Sequence, residues 1–327
     1  MTLLSIEDLT ITLPFGQAAR PILDRVSITV EEGETVGLVG ESGSGKSVTS
    51  RAALGLFPAG AATAGTIRVA DQTVLDSTVG YRMDKAGLRR MRGGMAAMVF
   101  QDPRASVNPL HRVGDFLTEA MRTNRGLTRR EAESRAAELL ESVGITDPGG
   151  ALRRWPHEFS GGMLQRVVIA AALAADPRLL LADEPTTALD VSTQAEVIAI
   201  LARLRRERGM GMLFVTHDLD LAGAICDRIY VLYAGQVMET QPTQGLFRTP
   251  RHPYTAALLG SRPHLDGPAI RLDAISGLPL SLDQAVPGCP FAPRCERVTP
   301  DCEQDRVPLT THDGAEVACL RAQEVSR

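Results

Sequence analysis

Residues 40–47 carry the arrangement of side chains best suited to chemistry on a phosphate. They match the pattern G-x-x-x-x-G-K-[ST] and read Gly40-Glu41-Ser42-Gly43-Ser44-Gly45-Lys46-Ser47. The glycines let backbone N–H groups curl around phosphate oxygens, and a helix that starts at this point adds a favourable dipole. Lys46 places a positive charge at the β- and γ-phosphates, and the Ser47 hydroxyl is a ligand for Mg²⁺. The loop therefore predicts a site for a nucleoside triphosphate.

Two adjacent carboxylates, Asp183 and Glu184, follow an apolar run further along the chain. Successive side chains of a strand point in different directions, so neighbouring carboxylates can serve different purposes. We assign Asp183 to Mg²⁺ and Glu184 to the general base that activates a water molecule. Alone, such a pair is most often a solvated strand end, and it is the phosphate loop upstream that favours the catalytic interpretation.

The elements that position these groups alternate between strands and helices. An apolar run at 35–39 predicts the strand before the phosphate loop, and residues 48–56 predict the helix after it, which argues against an ordinary glycine turn. Further predicted strands lie at 27–30, 95–100, 179–182, 212–216 and 228–233, with a helix at 191–208 and helical spacing through 113–175. This alternation indicates a mostly parallel α/β sheet.

The composition limits the classes of protein to consider. The chain has 327 residues, is 44% hydrophobic and carries a net charge of -4, so it can bury a large core and a broad basic surface for nucleic acid is not indicated. The longest apolar stretch, at 167–175, is too short to cross a bilayer, which needs roughly 20 residues. With no targeting segment at the start, we expect any membrane role to come through partners.

Four further motifs stand in a fixed order around these two. Residues 159–166, Phe-Ser-Gly-Gly-Met-Leu-Gln-Arg, resemble the signature sequence of ABC ATPases. Gln101 resembles the Q-loop glutamine of that family, residues 188–190 its D-loop, and His217 its switch histidine. A lone His or Gln is more often a packing residue, but the shared order of the motifs supports the family resemblance.

The resemblance implies a head-to-tail dimer in which each ATP lies between the phosphate loop of one subunit and the signature of the other. Gln101 would sense Mg²⁺ and water, and His217 would contact the γ-phosphate. An aromatic residue usually stacks on adenine in this family. Phe15 is the candidate, with Leu13 as the alternative, and Phe15 is equally open to an interpretation as simple packing. The residues assigned to the nucleotide are otherwise Gly40, Ser42, Gly43, Ser44, Gly45, Lys46, Ser47, Ser160, Gly161, Gly162 and Asp190.

Three segments resemble the ATPases of oligopeptide, dipeptide and nickel importers: residues 100–109, residues 252–259 and a cysteine-containing tail. The tail places Cys289, Cys295, Cys302 and Cys319 at the spacing C-x5-C-x6-C-x16-C. Four thiolates suit a [4Fe–4S] cluster or structural zinc, although zinc sites usually use closely paired C-x2-C ligands. The resemblance favours the [4Fe–4S] cluster, and free thiols in a tail are the third option. Cys226 has the surroundings of a core thiol.

Together these observations predict a RecA-like α/β nucleotide-binding domain over 1–255, with a helical subdomain at about 102–175 and a β-rich edge, and a C-terminal extension over 256–327. The resemblance implies an ATPase at the cytoplasmic face of the cell membrane that energises a peptide importer. Its expected partners are two permease subunits, a second ATPase, expected to be a paralogue, and an extracytoplasmic solute-binding protein. An importer of nickel or another small solute, an exporter, and an ABC ATPase of translation or DNA repair remain alternatives.

Overall fold

A computed structural model describes residues 1–15, 18–187, 189–262, 275–280 and 286–325, with only the backbone of Phe15 and Ala18. Its strands are β1 (Thr2–Phe15), β2 (Ala18–Glu31), β3 (Thr35–Val39), β4 (Ala62–Val69), β5 (Gln72–Asp76), β6 (Tyr81–Arg82), β7 (Ala96–Val99), β8 (Leu179–Asp183), β9 (Gly211–Thr216), β10 (Arg228–Tyr233), β11 (Gln236–Pro242), β12 (Thr310–His312) and β13 (Ala315–Val317).

The α-helices of the same residues are α1 (Lys46–Ala53), α2 (Lys85–Arg92), α3 (Pro103–Ser106), α4 (Val113–Arg125), α5 (Arg129–Ser142), α6 (Pro148–Ala151), α7 (Gly161–Ala174), α8 (Val191–Arg208), α9 (Leu219–Ile225), α10 (Thr243–Arg248) and α11 (Pro253–Gly260). The predicted helix at 191–208 and the predicted strands at 35–39 and 228–233 have the predicted bounds. The helix predicted at 48–56 begins two residues earlier and ends three earlier, before Gly55 at φ +67°.

Two sheets form the framework of the protein. The smaller, in the order β2-β1-β4-β5-β6, is antiparallel throughout. The larger runs β12-β13-β11-β10-β3-β9-β8-β7, and its strands from β10 to β7 are parallel to one another. The predicted mostly parallel sheet is therefore confirmed for this central part, while antiparallel strands extend it at one edge.

The central strands have apolar side chains on both faces because each face meets a separate hydrophobic core. In β8, Leu179 and Leu181 enter the core shared with the smaller sheet, whereas Leu180 and Ala182 enter the core shared with the helices. Successive side chains of a strand alternate between its faces, so burial on both sides produces an uninterrupted apolar run. This is why the central strands could be predicted from short apolar segments.

Helices α4, α5 and α7 pack together on the helical side, which confirms the helical character predicted for 113–175. Helix α4 ends at Gly126, in the left-handed conformation, and α5 begins with Thr128 and Glu131 bonded reciprocally as a capping box. Helix α7 begins at Ser160, whose side chain accepts a hydrogen bond from the Met163 N–H. No helix among the described residues is both long and apolar enough to span a membrane.

The C-terminal residues join the larger sheet and its core. Strand β13 pairs with β11, where Val317 lies opposite Glu239. Tyr254, Leu259 and Phe291 belong to the same hydrophobic cluster as the helices of residues 113–174. The packing of these side chains is therefore continuous across residue 255, and the domain boundary at that position stays a prediction.

Candidate active site

The predicted catalytic groups meet at one edge of the larger sheet. The phosphate loop follows β3, Gln101 follows β7, Glu184 follows β8 and His217 follows β9, and these four strands are neighbours with the same direction. The carboxyl ends of parallel strands are where α/β proteins place ligand sites. A cleft of about 630 Å³ opens there, and its lining includes Ser42, Gly43, Gly45, Lys46, Ser47, Gln101, Glu184 and His217.

The phosphate loop is closed around the side chain of Lys46. Its ammonium group donates hydrogen bonds to the carbonyls of Gly40, at 2.8 Å, and Glu41, at 2.9 Å. Burial lowers the pKa of Lys46. A Cβ atom on Gly40 would lie 2.0 Å from the carbonyl oxygen of Leu232, so this tight approach requires glycine.

Asp183 is fully buried at the end of β8, next to the first helical turn after the loop. The Ser47 hydroxyl donates to its Oδ1 at 2.7 Å, and Arg51 Nη2 lies 3.4 Å from its Oδ2. Burial nevertheless raises the pKa of Asp183. The structure thus brings together the oxygens of Ser47 and Asp183, two of the three groups predicted at Mg²⁺. The third, Gln101, donates to Glu184 in the same cleft. The sequence analysis missed Arg51, although its position four residues after Ser47 places both side chains on one helix face.

Glu184 is contacted by three side chains from different segments. Gln101 Nε2 donates to its Oε2 at 3.0 Å, the Thr187 hydroxyl donates at 2.9 Å, and His217 Nδ1 lies 3.3 Å away. The backbone of Glu184 has a φ of 47°, which is unfavourable for a residue with a side chain. Thr187 was missed by the sequence analysis, and its place in the turn directly after Glu184 was the available signal.

The signature residues lie at the start of α7, and among the described residues they are not part of the cleft lining. A Cβ atom on Gly162 would lie 2.3 Å from Thr193 Cγ2, so the glycine permits close packing of α7 on α8. Asp190 begins α8 by accepting hydrogen bonds from the N–H and hydroxyl of Thr193, which lower its pKa. The sequence-based assignment of these residues to a partner's nucleotide stays a prediction.

The adenine site is described only in part. Leu13 and Ile22 line the cleft beside the phosphate loop. The side chain of Phe15 lies outside the described residues, as does Ala188 of the D-loop. Leu13, the alternative to Phe15, thus lies at the site, and the assignment of Phe15 to adenine stays a prediction.

Cys289, Cys295, Cys302 and Cys319 line a second cavity, of about 20 Å³. The backbone N–H groups of Phe291, Arg297 and Arg321 donate to the sulfurs of Cys289, Cys295 and Cys319 respectively. Burial raises the pKa of Cys289 and of Cys319 to about 11. No group of three or more His, Cys, Asp or Glu within the described ranges is arranged to hold a metal ion. Cys226 is buried and reduced, as predicted for a core thiol.

Comparison with protein families gives two matches. The ABC transporter family matches residues 23–187, and the C-terminal region of oligopeptide/dipeptide transporters matches residues 238–302. The first match contains the phosphate loop, Gln101, the signature, Asp183 and Glu184. The second contains the segment at 252–259 and three of the four tail cysteines.

Similar proteins cover nearly the whole chain. A putative peptide import ATP-binding protein of Brucella melitensis is 44% identical, over 95% of each chain. The oligopeptide transport ATP-binding protein AppD of Bacillus subtilis is 39% identical, over 99% of this chain and 98% of its own. A solved ATP-binding cassette, a dimer in a post-hydrolysis state with ADP and Pi, is 29% identical and superposes with a TM-score of 0.65, covering 73% of this chain and 98% of that one. The chain therefore belongs to the ABC transporter family.

Proposed function

We propose that the chain binds ATP in the cleft at the carboxyl ends of β3, β7, β8 and β9 and hydrolyses it to drive a peptide importer. The observation that carries the proposal is the position of Glu184, which Gln101, Thr187 and His217 hold in the same cleft as Lys46. A carboxylate held beside a phosphate loop is in the place that a general base for water must occupy.

The phosphate loop supplies most of the binding. Its backbone N–H groups surround the β- and γ-phosphates, and Lys46 contributes a charge that in this structure is bonded to two carbonyl oxygens of the same loop. Ser47 and Asp183 fit Mg²⁺, because a hydroxyl and a carboxylate oxygen, the kinds of ligand that Mg²⁺ takes, already meet beside the phosphate loop. The metal ion, when bound, supplies charge neutralisation for the phosphate oxygens.

Glu184 acts on the attacking water. Its carboxylate accepts a proton as the water attacks the γ-phosphate in line with the leaving β-phosphate oxygen. Gln101 and Thr187 orient the carboxylate through Oε2, which leaves Oε1 for the water. His217, whose Nδ1 lies 3.3 Å from the same Oε2, donates to the γ-phosphate in this proposal.

The substitution Glu184→Gln tests this assignment, because it removes the base and keeps the shape. We expect ATP binding to persist while hydrolysis by the purified chain falls about 100-fold or more. Glu207→Gln, at an exposed carboxylate near the end of α8, is the matched control and should leave both unchanged. Hydrolysis retained in Glu184→Gln would exclude Glu184 as the base, and a parent chain that stays inactive together with the second ATPase subunit would refute the proposed reaction.

A second copy or a paralogous ATPase completes the site under this proposal. Ser160, Gly161 and Gly162 open α7 with N–H groups suited to a phosphate oxygen, yet they are not among the residues that line the cleft with Lys46. The similar cassette with ADP and Pi is dimeric. Asp190, at the start of α8, lies beside the signature through the contact between Gly162 and Thr193.

Peptides are the proposed cargo. Relatives that match almost the whole chain are named as ATP-binding proteins of peptide, oligopeptide and dipeptide transport, and the C-terminal match is to that class of transporter. The proposed partners are therefore two permease subunits, with an extracytoplasmic solute-binding protein that selects the cargo. The chain would act at the cytoplasmic face of the membrane, held there by the permeases.

Uptake by the native cell tests the cargo. Cells with Glu184→Gln should lose uptake of labelled di- and oligopeptides and keep uptake of ⁶³Ni, while Glu207→Gln cells should retain both. Loss of nickel uptake alone would identify nickel as the cargo and leave the ATPase assignment unchanged. Loss of neither would point to another solute, or to an ATPase without a transport role if the chain also fails to co-purify with membrane proteins.

The cysteines of the C-terminal tail favour a bound cofactor in addition to ATP. We infer that Cys289, Cys295, Cys302 and Cys319 hold a [4Fe–4S] cluster. Four sulfurs around one cavity, three of them accepting backbone N–H groups, form a donor set suited to a cluster. Structural zinc is the alternative, but such sites usually use closely paired C-x2-C ligands, which the four tail cysteines lack.

Anaerobic purification followed by iron, zinc and acid-labile sulfide analysis distinguishes the alternatives. We expect about four irons and four sulfides per chain, lost in Cys289→Ser and retained in Cys226→Ser, which alters the buried thiol outside the tail. Stoichiometric zinc without iron would instead show that the four cysteines form a structural zinc site. Four alkylatable thiols without metal would leave the tail cysteines free.

A further inference from the structure

Glu41, inside the phosphate loop, is held at three points. Its N–H donates to the Tyr254 hydroxyl at 2.9 Å, and its carbonyl accepts from Lys46 Nζ at 2.9 Å. Its carboxylate accepts two hydrogen bonds from the guanidinium of Arg294, at 2.7 and 3.1 Å. Tyr254 and Arg294 both lie in the C-terminal region, so residues more than 200 positions away hold the loop.

Arg294 has little freedom to move away from Glu41. Its side chain is 5% exposed, its Nε donates to the Ser276 carbonyl at 3.0 Å, and its Nη1 also donates to the Tyr233 hydroxyl at 3.2 Å. The guanidinium lies 5.8 Å from the ring centres of Tyr233 and Phe291. These contacts hold the planar group in the orientation that a bidentate carboxylate pair requires.

The charge of Glu41 matters because the loop must accept a triphosphate. The carboxylate is 21% exposed and its charge reaches Lys46, where it opposes the lowering of the pKa by burial. Without Arg294, a partly buried and unpaired negative charge would stand inside a loop that binds anions. Such a charge disfavours the anion as well as the loop conformation.

We propose that Arg294 is a positioning residue of the ATP site, which holds Glu41 and neutralises its carboxylate so that the phosphate loop accepts the triphosphate. The inference rests on the proposed ATP binding at this loop. It gives the C-terminal region a part in nucleotide binding, separate from any role of the neighbouring cysteines. Arg294 contacts the loop and not the reacting atoms, so its removal should affect binding more than turnover.

The experiment measures the Kd for ATP and the KM and kcat of hydrolysis with the purified full-length chain. For Arg294→Ala we expect Kd and KM to rise about tenfold while kcat changes less than about twofold. Adding Glu41→Gln to Arg294→Ala should return Kd to within about threefold of the parent value, because the unpaired charge is removed. Arg294→Lys, which keeps the charge and loses the bidentate geometry, should give an intermediate Kd.

Arg251→Ala is the matched control, since it breaks another ion pair of the C-terminal region, with Asp313 at 2.8 Å, and should leave Kd unchanged. An unchanged Kd in Arg294→Ala, a rise that Glu41→Gln does not relieve, or an equal rise in Arg251→Ala would each overturn the proposal. If Arg294→Ala does not fold, Arg294→Lys with and without Glu41→Gln decides by the same criteria. A parent chain that binds ATP without hydrolysing it, even together with the second ATPase subunit, would refute the proposed reaction, and the comparison of Kd values would still decide this inference.

Discussion

Burial disfavours the charged forms of the two groups that are to meet Mg²⁺ and the phosphates. It lowers the pKa of Lys46 and raises the pKa of Asp183. Each group is therefore less stable as an ion here than it would be in water, and a ligand of opposite charge relieves that penalty. Binding of Mg²⁺ and a triphosphate therefore stabilises the folded chain.

The stability of the variant Asp183→Asn tests whether burial of the Asp183 charge destabilises the folded chain. The folded chain holds the Asp183 proton more tightly than the unfolded chain, so the stability linked to that proton is present below the ordinary pKa of 3.8 and is lost as pH rises through the folded pKa. Without nucleotide or Mg²⁺, the variant should therefore melt about 1–2 °C above the parent at pH 7, the shift that 1 kcal/mol produces in a chain of this length. The difference should shrink as the pH falls toward about 4.

Calorimetry across pH measures both parts of this prediction. Addition of Mg²⁺ and ATP should raise the melting temperature of the parent more than that of Asp183→Asn, because the variant lacks the carboxylate. A variant less stable than the parent at every pH would mean that the hydrogen bond from Ser47 and the contact with Arg51 outweigh the burial of charge.

The site residues could be predicted from the sequence because each follows a short apolar strand that is easily recognised. The loop after β3, the carboxylates after β8 and His217 after β9 each lie within a few residues of an apolar strand. The contact between Glu41 and Arg294 could not be predicted in this way, since the residues are 253 positions apart and neither segment has a periodic pattern. The long β1 was also missed, and only residues 27–30 of β2 were predicted, because the pairing of these strands contains several register shifts that interrupt the alternation of side chains.

Two adjacent glycines at the junction of α7 and α8, Gly161 and Gly162, allow effects on folding to be distinguished from effects on nucleotide binding. Gly162→Ala places a methyl group 2.3 Å from Thr193 Cγ2, and Thr193 cannot easily turn away because it donates two hydrogen bonds to Asp190. We expect this variant to lose about 1–3 kcal/mol, the usual range for overpacking, measured by denaturant unfolding. Thr193→Ser removes Cγ2 and keeps the hydroxyl, so it should restore most of the loss in Gly162→Ala.

Gly161→Ala is the matched control, since the nearest atom, Leu189 Cδ2, is 3.9 Å from the added carbon. Its stability should be equal or slightly higher, because alanine favours the helix. If Gly161 faces a partner's nucleotide as proposed, this stable variant should nevertheless weaken ATP-dependent dimerisation in sedimentation experiments. Normal dimerisation of Gly161→Ala would contradict that placement.

At the scale of the whole molecule, the C-terminal region shares both the sheet and the core of the nucleotide site. Strand β13 extends the larger sheet through β11, and Phe291 packs against Tyr233 and Tyr254 with ring centres 5.5 and 5.2 Å away. Tyr233 ends β10, which is the neighbour of β3, the strand that carries the phosphate loop. Composition changes near residue 255, but packing depends on contacts that are distant in sequence, so the predicted boundary needs an experiment.

The unfolding transition supplies that experiment. Because the core is continuous across residue 255, we expect one cooperative calorimetric transition for the full chain, with equal calorimetric and van't Hoff enthalpies. Phe291→Ala, at a side chain 2% exposed, should lower the stability of that single transition by about 3–5 kcal/mol. Leu278→Ala, at an exposed position of the same region, should have no effect. Two transitions, with only the weaker one shifted by Phe291→Ala and only the stronger one raised by Mg²⁺ and ATP, would instead establish an independent C-terminal domain.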